Sequence, residues 1–385
     1  MEILFIIQSD VKKHFQNQNK IGNYMKKLRC GVLGATGMVG REFLKLLSSH
    51  PWIEVTVVAA SSRSAGQKLK YLIDIDRQAR IDRDILDLTV QDVFEIEDIS
   101  SKVDFVFCAV NMDKAEIIAL EEAYAKKEVV VVSNNSAMRF FDDVPMIVPE
   151  INGVEHLKIL DVQKQRLGTQ NGCIVVKPNC AAQAYMAILH SLMDNVYIEQ
   201  VNVSLMQAIS GSGKYLDEVA EIQGNILPLP GEAEKSITEP KKIFGEIIDG
   251  KIVSYDNLNI SATSYRVPVQ DGHLANVFIK TTIGNSNIVR DMQLHFDYYN
   301  PLEKYDLPSS PNPVINYLGD DEYPNPLKDA NNQGGMEFTC GAMKFDENTG
   351  ILQITGLIHN LVRGAAGGAV LTAELMIKLG YISPK

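Results

Sequence analysis

The chain reads as an α/β protein, a parallel sheet covered on both faces followed by a second, α+β domain. Three observations predict this. Short runs of β-branched residues alternate with helical patterns through the first half. Those runs are apolar at successive positions rather than alternate ones, as strands buried on both faces are. A glycine-rich turn, GATGMVG, stands where the first strand meets the first helix, with Gly34, Gly37 and Gly40 in step. The length of 385 residues exceeds one ordinary domain and suggests two.

In order, Leu28 to Leu33 reads as a strand that runs into the glycine turn. A helix follows with Val39, Phe43, Leu44 and Leu47 on one face. Glu54 to Ala60 and Val103 to Val110 read as strands, and Met112 to Lys127, rich in alanine and glutamate, as a helix. Val129–Val132 and Ile174–Val176 complete the strand set. After residue 178 the texture changes: strand-like pieces such as Val201–Met206 and Leu274–Thr281 mix with long loops, including the stretch from Pro308 to Pro326. A last helix, Ala365 to Leu379, ends at Gly380, a plausible C-cap. These boundaries give an extension at 1–26, expected to be flexible, a first domain at 27–177 completed by the helical segment 357–385, and a second domain at 178–356.

Composition narrows the function. With 45% hydrophobic and 22% charged residues the chain cannot be wholly disordered. A net charge of −11 lacks the basic footprint of a nucleic-acid binder. No apolar run approaches the roughly 18 residues of a membrane span. The five cysteines (Cys30, Cys108, Cys173, Cys180, Cys340) are odd in number and form no CxxC pair. That argues against a zinc knuckle or a disulfide framework and for a reducing, cytoplasmic setting. None of the seven histidines belongs to an HExxH motif, so no metal is expected. The start, Met1-Glu2 and a short apolar stretch before polar residues, lacks the basic opening of a signal peptide. It reads as a tail, or as a start codon placed ahead of Met25.

Four places carry chemistry. At the turn Gly34-Ala35-Thr36-Gly37-Met38-Val39, glycines allow a tight bend and let backbone N–H groups approach a pyrophosphate at the helix start. This marks the first domain as a Rossmann-type dinucleotide-binding domain. At the end of the second strand, Ser61-Ser62-Arg63-Ser64 offers hydroxyls and an arginine but no acid. An acid there would bond a ribose 2′-hydroxyl, whereas an arginine suits a 2′-phosphate, so NADP is favoured over NAD. Pro178-Asn179-Cys180 follows a strand and precedes the helical run Ala181 to Met193. A cysteine at a helix start is poised as an acyl-forming nucleophile, though taken alone a buried inert thiol is the commoner case. Arg266 and His273 flank the Gly272 turn in SYRVPVQDGH, where both can face one cleft as carboxylate clamp and base.

Taken together, GATGMVG, SSRSAG, PNCAAQ, MQAISGSG, RVPVQDGH and HNLVRGAAGG stand in the order and at the spacings of aspartate-semialdehyde dehydrogenases. Residues 27–385 resemble the archaeal/fungal-type branch of that family. The resemblance implies NADPH-dependent reduction of 4-phospho-L-aspartate to L-aspartate 4-semialdehyde through a cysteine thioester, in lysine, threonine, methionine and isoleucine biosynthesis. It makes the second domain the catalytic and dimerisation domain of a homodimer or homotetramer. It implies Cys180 as nucleophile, His273 as acid/base, and Gln207 as the residue that orients the acyl intermediate. Arg266 would hold the substrate carboxylate, Glu239 the amine, and Lys242 and Arg139 the phosphate, with Asn179 beside them. Glu239 and Lys242 lie three apart, one helical turn, so both can reach one ligand. Ser210 and Gly211 fall on the cofactor side, and Asn360 matches the residue that bonds the nicotinamide amide.

Two positions depart from the family pattern. Ala181-Ala182-Gln183 follow the nucleophile in place of Ser-Thr, and Lys214 replaces an aromatic. The Cys-x-Ala-Gln arrangement is similar to that of malonyl-CoA reductases, so a malonyl-CoA or succinyl-CoA reductase of the same fold is the alternative. A non-catalytic NADP-binding sensor is the alternative from another class.

Overall fold

The structure, a computed structural model, describes residues 26–74, 80–193, 196–281 and 287–385. The extension expected at 1–26 falls almost wholly outside them. β1 (Leu28–Leu33), β2 (Ile53–Ala60), β3 (Gln91–Asp92), β4 (Phe105–Cys108), β5 (Val130–Ser133) and β6 (Ile174–Val176) form the first sheet. Its order is β3-β2-β1-β4-β5-β6, with every pair parallel. All four residues of β4 are buried, as are all four of β5, because helices cover both faces. On one side Phe105 and Phe107 meet α1 (Met38–Leu47), where the Phe43 and Phe107 rings stack 4.4 Å apart. The C-terminal helix α5 (Gly367–Lys378) joins the same cluster through Ala369, Val370 and Ala373. On the other side Val106 and Cys108 share a core with Ile117 and Leu120 of α2 (Lys114–Lys126).

Strand order reverses between β1 and β4, and open α/β sheets bind ligands at such a switch point. The glycine turn sits there. Gly34 has φ +88°, and a Cβ on it would lie 2.4 Å from the Ala109 carbonyl oxygen just beyond β4. Gly40 lets α1 press onto the turn, where a Cβ would lie 2.1 Å from the Gly34 carbonyl oxygen. Gly37 has room, its nearest such contact being 3.4 Å away. Two glycines therefore serve the fold and one serves the opening.

From β6 the chain passes through α3 (Gln183–Met193) into β7 (Ile198–Gln207). β8 (Leu227–Pro228), α4 (Pro230–Ile243), the hairpin β9 (Glu246–Ile248) and β10 (Lys251–Val253), then β11 (Ile260–Arg266) and β12 (His273–Thr281) follow. β13 (Ile315–Tyr317), β14 (Phe338–Asp346) and β15 (Ile351–Ile358) complete a mixed seven-stranded sheet, β13-β14-β15-β12-β7-β11-β8. Strict alternation in β12 sends Ala275, Val277 and Ile279 into the core with α3, while Leu274 and Phe278 face outward. The last helix begins differently from the sequence reading. A π-helical turn, Val362–Ala366, precedes α5 and carries Gly364 against Cys180, where a Cβ would come within 2.8 Å of the cysteine Cβ. Gly380, at φ +82°, closes α5.

Gly34→Ala should destabilise the chain by more than the 1–3 kcal/mol or so of a strained backbone alone, because the methyl also meets a carbonyl. Gly37→Ala should be near neutral. Denaturant unfolding of the two variants side by side checks the difference.

Candidate active site

Cys180 lies in the turn between β6 and α3. The regular helix starts three residues later, at Gln183, because the entry is tightly wound: Gln183, Ala184 and Tyr185 donate their N–H groups to the carbonyls of Cys180, Ala181 and Ala182. Asn179 caps this entry, its Oδ1 accepting the Ala181 N–H at 2.9 Å. Cys180 is partly open to solvent, whereas the other four cysteines are wholly buried.

His273 opens β12, and its Nε2 stands 3.2 Å from Cys180 Sγ. The Ala208 N–H donates to His273 Nδ1 at 3.1 Å. That bond assigns Nδ1 as acceptor and leaves the ring proton on Nε2, facing the sulfur. Burial, with Arg266 and His359 nearby, pushes the imidazolium pKa down to about 3, so the ring is neutral. Burial also pushes the Cys180 thiol up to about 11, with the Glu232 carboxylate adding to the shift and Arg139, Arg266 and the Ala181 N–H opposing it. Arg266, the last residue of β11, donates from Nη1 to the Ala208 carbonyl at 2.6 Å. One peptide residue thus fixes both side chains. Gly211 packs against them, and a Cβ there would lie 2.8 Å from Arg266 Nη1 and 2.9 Å from His273 Cε1. Gln207 donates to Ser264 Oγ at 2.9 Å.

Asn360 lies behind this group. Its Oδ1 accepts the Gly272 N–H at 2.9 Å, and its Nδ2 donates to Ser210 Oγ at 2.8 Å. The resemblance places Asn360 on the nicotinamide, and in the structure its amide is bonded to the turn that presents His273. The cofactor-side groups are the glycine turn, where α1 begins at Gly37 without a side-chain cap, and the exposed Ser61, Ser62 and Arg63 at the end of β2. An uncapped helix start and an exposed guanidinium fit a dinucleotide bearing a 2′-phosphate.

Glu239 and Lys242, which the resemblance places on the substrate, are held by protein groups in the structure. Both are buried on α4, but their charges face protein groups. Glu239 pairs with Arg139 Nη1 at 2.8 Å and accepts the Asn179 N–H. Lys242 spends all three N–H donors on main-chain carbonyls, of Arg139 at 2.7 Å, Phe141 at 2.6 Å and Val144 at 2.8 Å. Helical spacing sets the face of these residues and not their partners. Arg139 is held a third time, through Nε to the Lys177 carbonyl at 2.8 Å, and its weaker Nη2 bond to the Asn134 carbonyl is 3.3 Å.

Sequence reasoning missed three residues. Glu232, in the first turn of α4, accepts from Asn179 Nδ2 at 2.7 Å; an acid just after a helix-starting proline was its signal. Lys177, buried next to the nucleophile turn, donates to Gln183 Oε1 at 3.2 Å, and burial beside Arg363 lowers its pKa to about 7. Ala208 acts through its backbone and carries no sequence signal.

Residues 29–159 match the semialdehyde dehydrogenase NAD-binding domain family, and residues 189–363 the semialdehyde dehydrogenase dimerisation domain family. An aspartate-semialdehyde dehydrogenase of Archaeoglobus fulgidus is 37% identical over 351 residues, 90% of this chain and 97% of that protein. A malonyl CoA reductase (NADP) of Metallosphaera sedula is 30% identical over 364 residues, 94% of this chain and 99% of that one. The crystal structure of aspartate semialdehyde dehydrogenase with NADP from Candida albicans superposes with a TM-score of 0.80 at 29% identity, covering 93% of this chain and 100% of that chain. The chain belongs to the aspartate-semialdehyde dehydrogenase family.

Iodoacetamide should label Cys180 alone among the five cysteines of the native protein, slowly at neutral pH. The rate should climb tenfold per pH unit toward about 11 as the thiolate forms. Mass spectrometry of the labelled peptides across pH checks both points, and a plateau below pH 8 would contradict the buried-thiol reading.

Proposed function

We propose that the protein is an NADP-dependent aspartate-semialdehyde dehydrogenase acting through Cys180. The observation that carries this reading is the 3.2 Å contact of Cys180 Sγ with His273 Nε2, held beside Arg266. In the biosynthetic direction the Cys180 thiol attacks the C4 carbonyl of 4-phospho-L-aspartate, its proton passing to the leaving phosphate. A C–S bond forms, the C–O bond to phosphorus breaks, and inorganic phosphate leaves. NADPH, when bound across the glycine turn, supplies a hydride to the thioester carbon. His273 Nε2–H donates to the carbonyl oxygen as charge gathers there, and then to Sγ as the thiolate departs from the aldehyde. The released thiolate takes its proton back from solvent, which closes the cycle without a proton settling on His273. Its Nδ1 lone pair is already engaged by the Ala208 N–H, so hydrogen-bond donation rather than base catalysis is the role that fits. Arg266 clamps the substrate carboxylate, and Gln207 with Asn179 lines the acyl group. Arg139 turns its loosest donor toward the phosphoryl group.

The enzyme works as a homo-oligomer, at least a dimer. In support, the outward face of the second sheet, with Leu274, Met206 and Phe278 on neighbouring strands, lies within the segment matching the dimerisation domain family. No helix among the described residues is long and apolar enough to cross a membrane, which suits a cytoplasmic enzyme.

Phosphate-dependent NADP reduction with L-aspartate 4-semialdehyde, measured beside NADPH oxidation with malonyl-CoA, tests the substrate. Activity with malonyl-CoA alone would assign the CoA-thioester reductase instead. Cys180→Ala should remove turnover while NADPH still binds. His273→Asn should lose roughly 100- to 1,000-fold, as removal of one oxyanion donor does. For the cofactor, Arg63→Ala should raise the KM for NADPH about tenfold or more and leave that for NADH little changed, as loss of one charge-assisted contact predicts. Equal effects on the two would make Arg63 a structural residue.

A further inference from the structure

Given a thioester on Cys180, the reading proposed above, we infer that Gln183 is a positioning residue. It sets the plane of the Asn179–Cys180 peptide, so that the Cys180 N–H meets the oxygen of the reacting carbonyl, and Lys177 fixes Gln183 in that role.

Three consecutive N–H groups line the nucleophile turn, and two are already engaged. The Asn179 N–H donates to Glu239, and the Ala181 N–H to Asn179 Oδ1 at 2.9 Å. The Cys180 N–H between them has no acceptor among the described residues. A donor next to an acyl-accepting sulfur is placed to meet charge as it gathers on the carbonyl oxygen. Its value depends on its direction. In a trans peptide the C=O and N–H point opposite ways, so whatever holds the Asn179 carbonyl also aims the Cys180 N–H.

Gln183 holds that carbonyl. Its side chain is wholly buried in the first turn of α3. Nε2 donates to the Gly364 carbonyl at 2.9 Å, and more loosely to the carbonyls of Asn179 at 3.4 Å and Pro178 at 3.5 Å. An amide has a donor end and an acceptor end, and the neighbours decide which faces where. Lys177 Nζ donates to Oε1 at 3.2 Å, so the oxygen faces the lysine and the NH2 faces three carbonyls. Gly368 of α5 leaves room for the lysine amine, since a Cβ there would lie 2.5 Å from Nζ. Lys177 precedes the nucleophile, Gln183 follows it, and Gly364 lies behind it in the π-helical turn. The Asn179 carbonyl is drawn toward the buried amide, and the Cys180 N–H is turned away from it, to the side where the cysteine is partly open.

Two reagents for one thiol separate aim from access. With p-nitrophenyl acetate a C–S bond forms, the ester C–O bond breaks and p-nitrophenolate leaves, after charge has gathered on the carbonyl oxygen. Iodoacetamide reacts at a saturated carbon, losing iodide, and no such charge develops. Both rates on Cys180 are measured at one pH in the full-length wild type and in Gln183→Met, Gln183→Glu and Lys177→Met. Gln183→Met has no polar end, and Gln183→Glu keeps an acceptor for Lys177 but lacks both N–H donors. In the two Gln183 variants the ratio of acetylation to alkylation should fall roughly tenfold to hundredfold, since deleting an oxyanion donor outright costs about a hundredfold to a thousandfold. Lys177→Met should lower the ratio by less. With L-aspartate 4-semialdehyde the same variants should lose kcat while the KM for NADP stays unchanged. An unchanged ratio in either Gln183 variant overturns the assignment. So does an equal fall in both rates, which displacement of the whole turn would give. A ratio that falls as expected in a protein whose wild type is inactive on aspartate semialdehyde overturns the substrate reading and leaves the role of Gln183 standing.

Discussion

The site depends on the backbone of Ala208. Its N–H donates to His273 and its carbonyl accepts from Arg266, so two side chains from two strands are set by one residue at the end of a third. The sheet makes this possible. β7 lies between β11 and β12 in register, Arg266 opposite Gln207 and Leu274 opposite Met206, so Arg266 ends one strand where His273 begins another. The loop beyond β7 is stitched to the loop joining β11 and β12 by Ile209 N–H to the Val269 carbonyl and Ser210 N–H to the Gln270 carbonyl, 2.8 and 3.0 Å. The proton position on His273, its distance from the thiol, and the aim of the guanidinium all follow from that stitching.

A second layer keeps the first in place at some cost in buried charge. Lys242 gathers three carbonyls of the 139–144 segment, and burial holds its pKa down to about 8. That segment carries Arg139, which reaches Glu239 and, through it, the Asn179 N–H beside the nucleophile. Removing one member would leave another charge unpaired in a dry setting, the case in which a buried pair matters most. The two deepest charged residues of α4, Glu239 and Lys242, thus brace the nucleophile turn.

Much of this was legible in the sequence, and the exceptions have a common cause. The first sheet could be read because β4 and β5 are apolar at every position and the glycine turn falls between strand and helix. Cys180, Arg266 and His273 could be read because their chemistry is scarce and their local contexts are turns. The partners of Glu239 and Lys242 could not. Arg139 is 100 residues from Glu239, and the carbonyls around Lys242 are 98 to 103 residues away along the chain. Spacing on a helix states which residues share a face, while the fold alone states what that face meets. Asn360 is the same case, 88 residues from the glycine it holds.

The π-helical turn before α5 ties the far end of the chain to the nucleophile. Gly364 lies against Cys180, Gln183 donates to the Gly364 carbonyl at 2.9 Å, and α5 then covers one face of the first sheet. Residues 362–378 of 385 therefore complete both the wall behind the thiol and the core of the dinucleotide-binding half. During synthesis, a growing chain has all its strands before it has either. The wall that Gly364 places behind the reactive cysteine is added only when that segment docks.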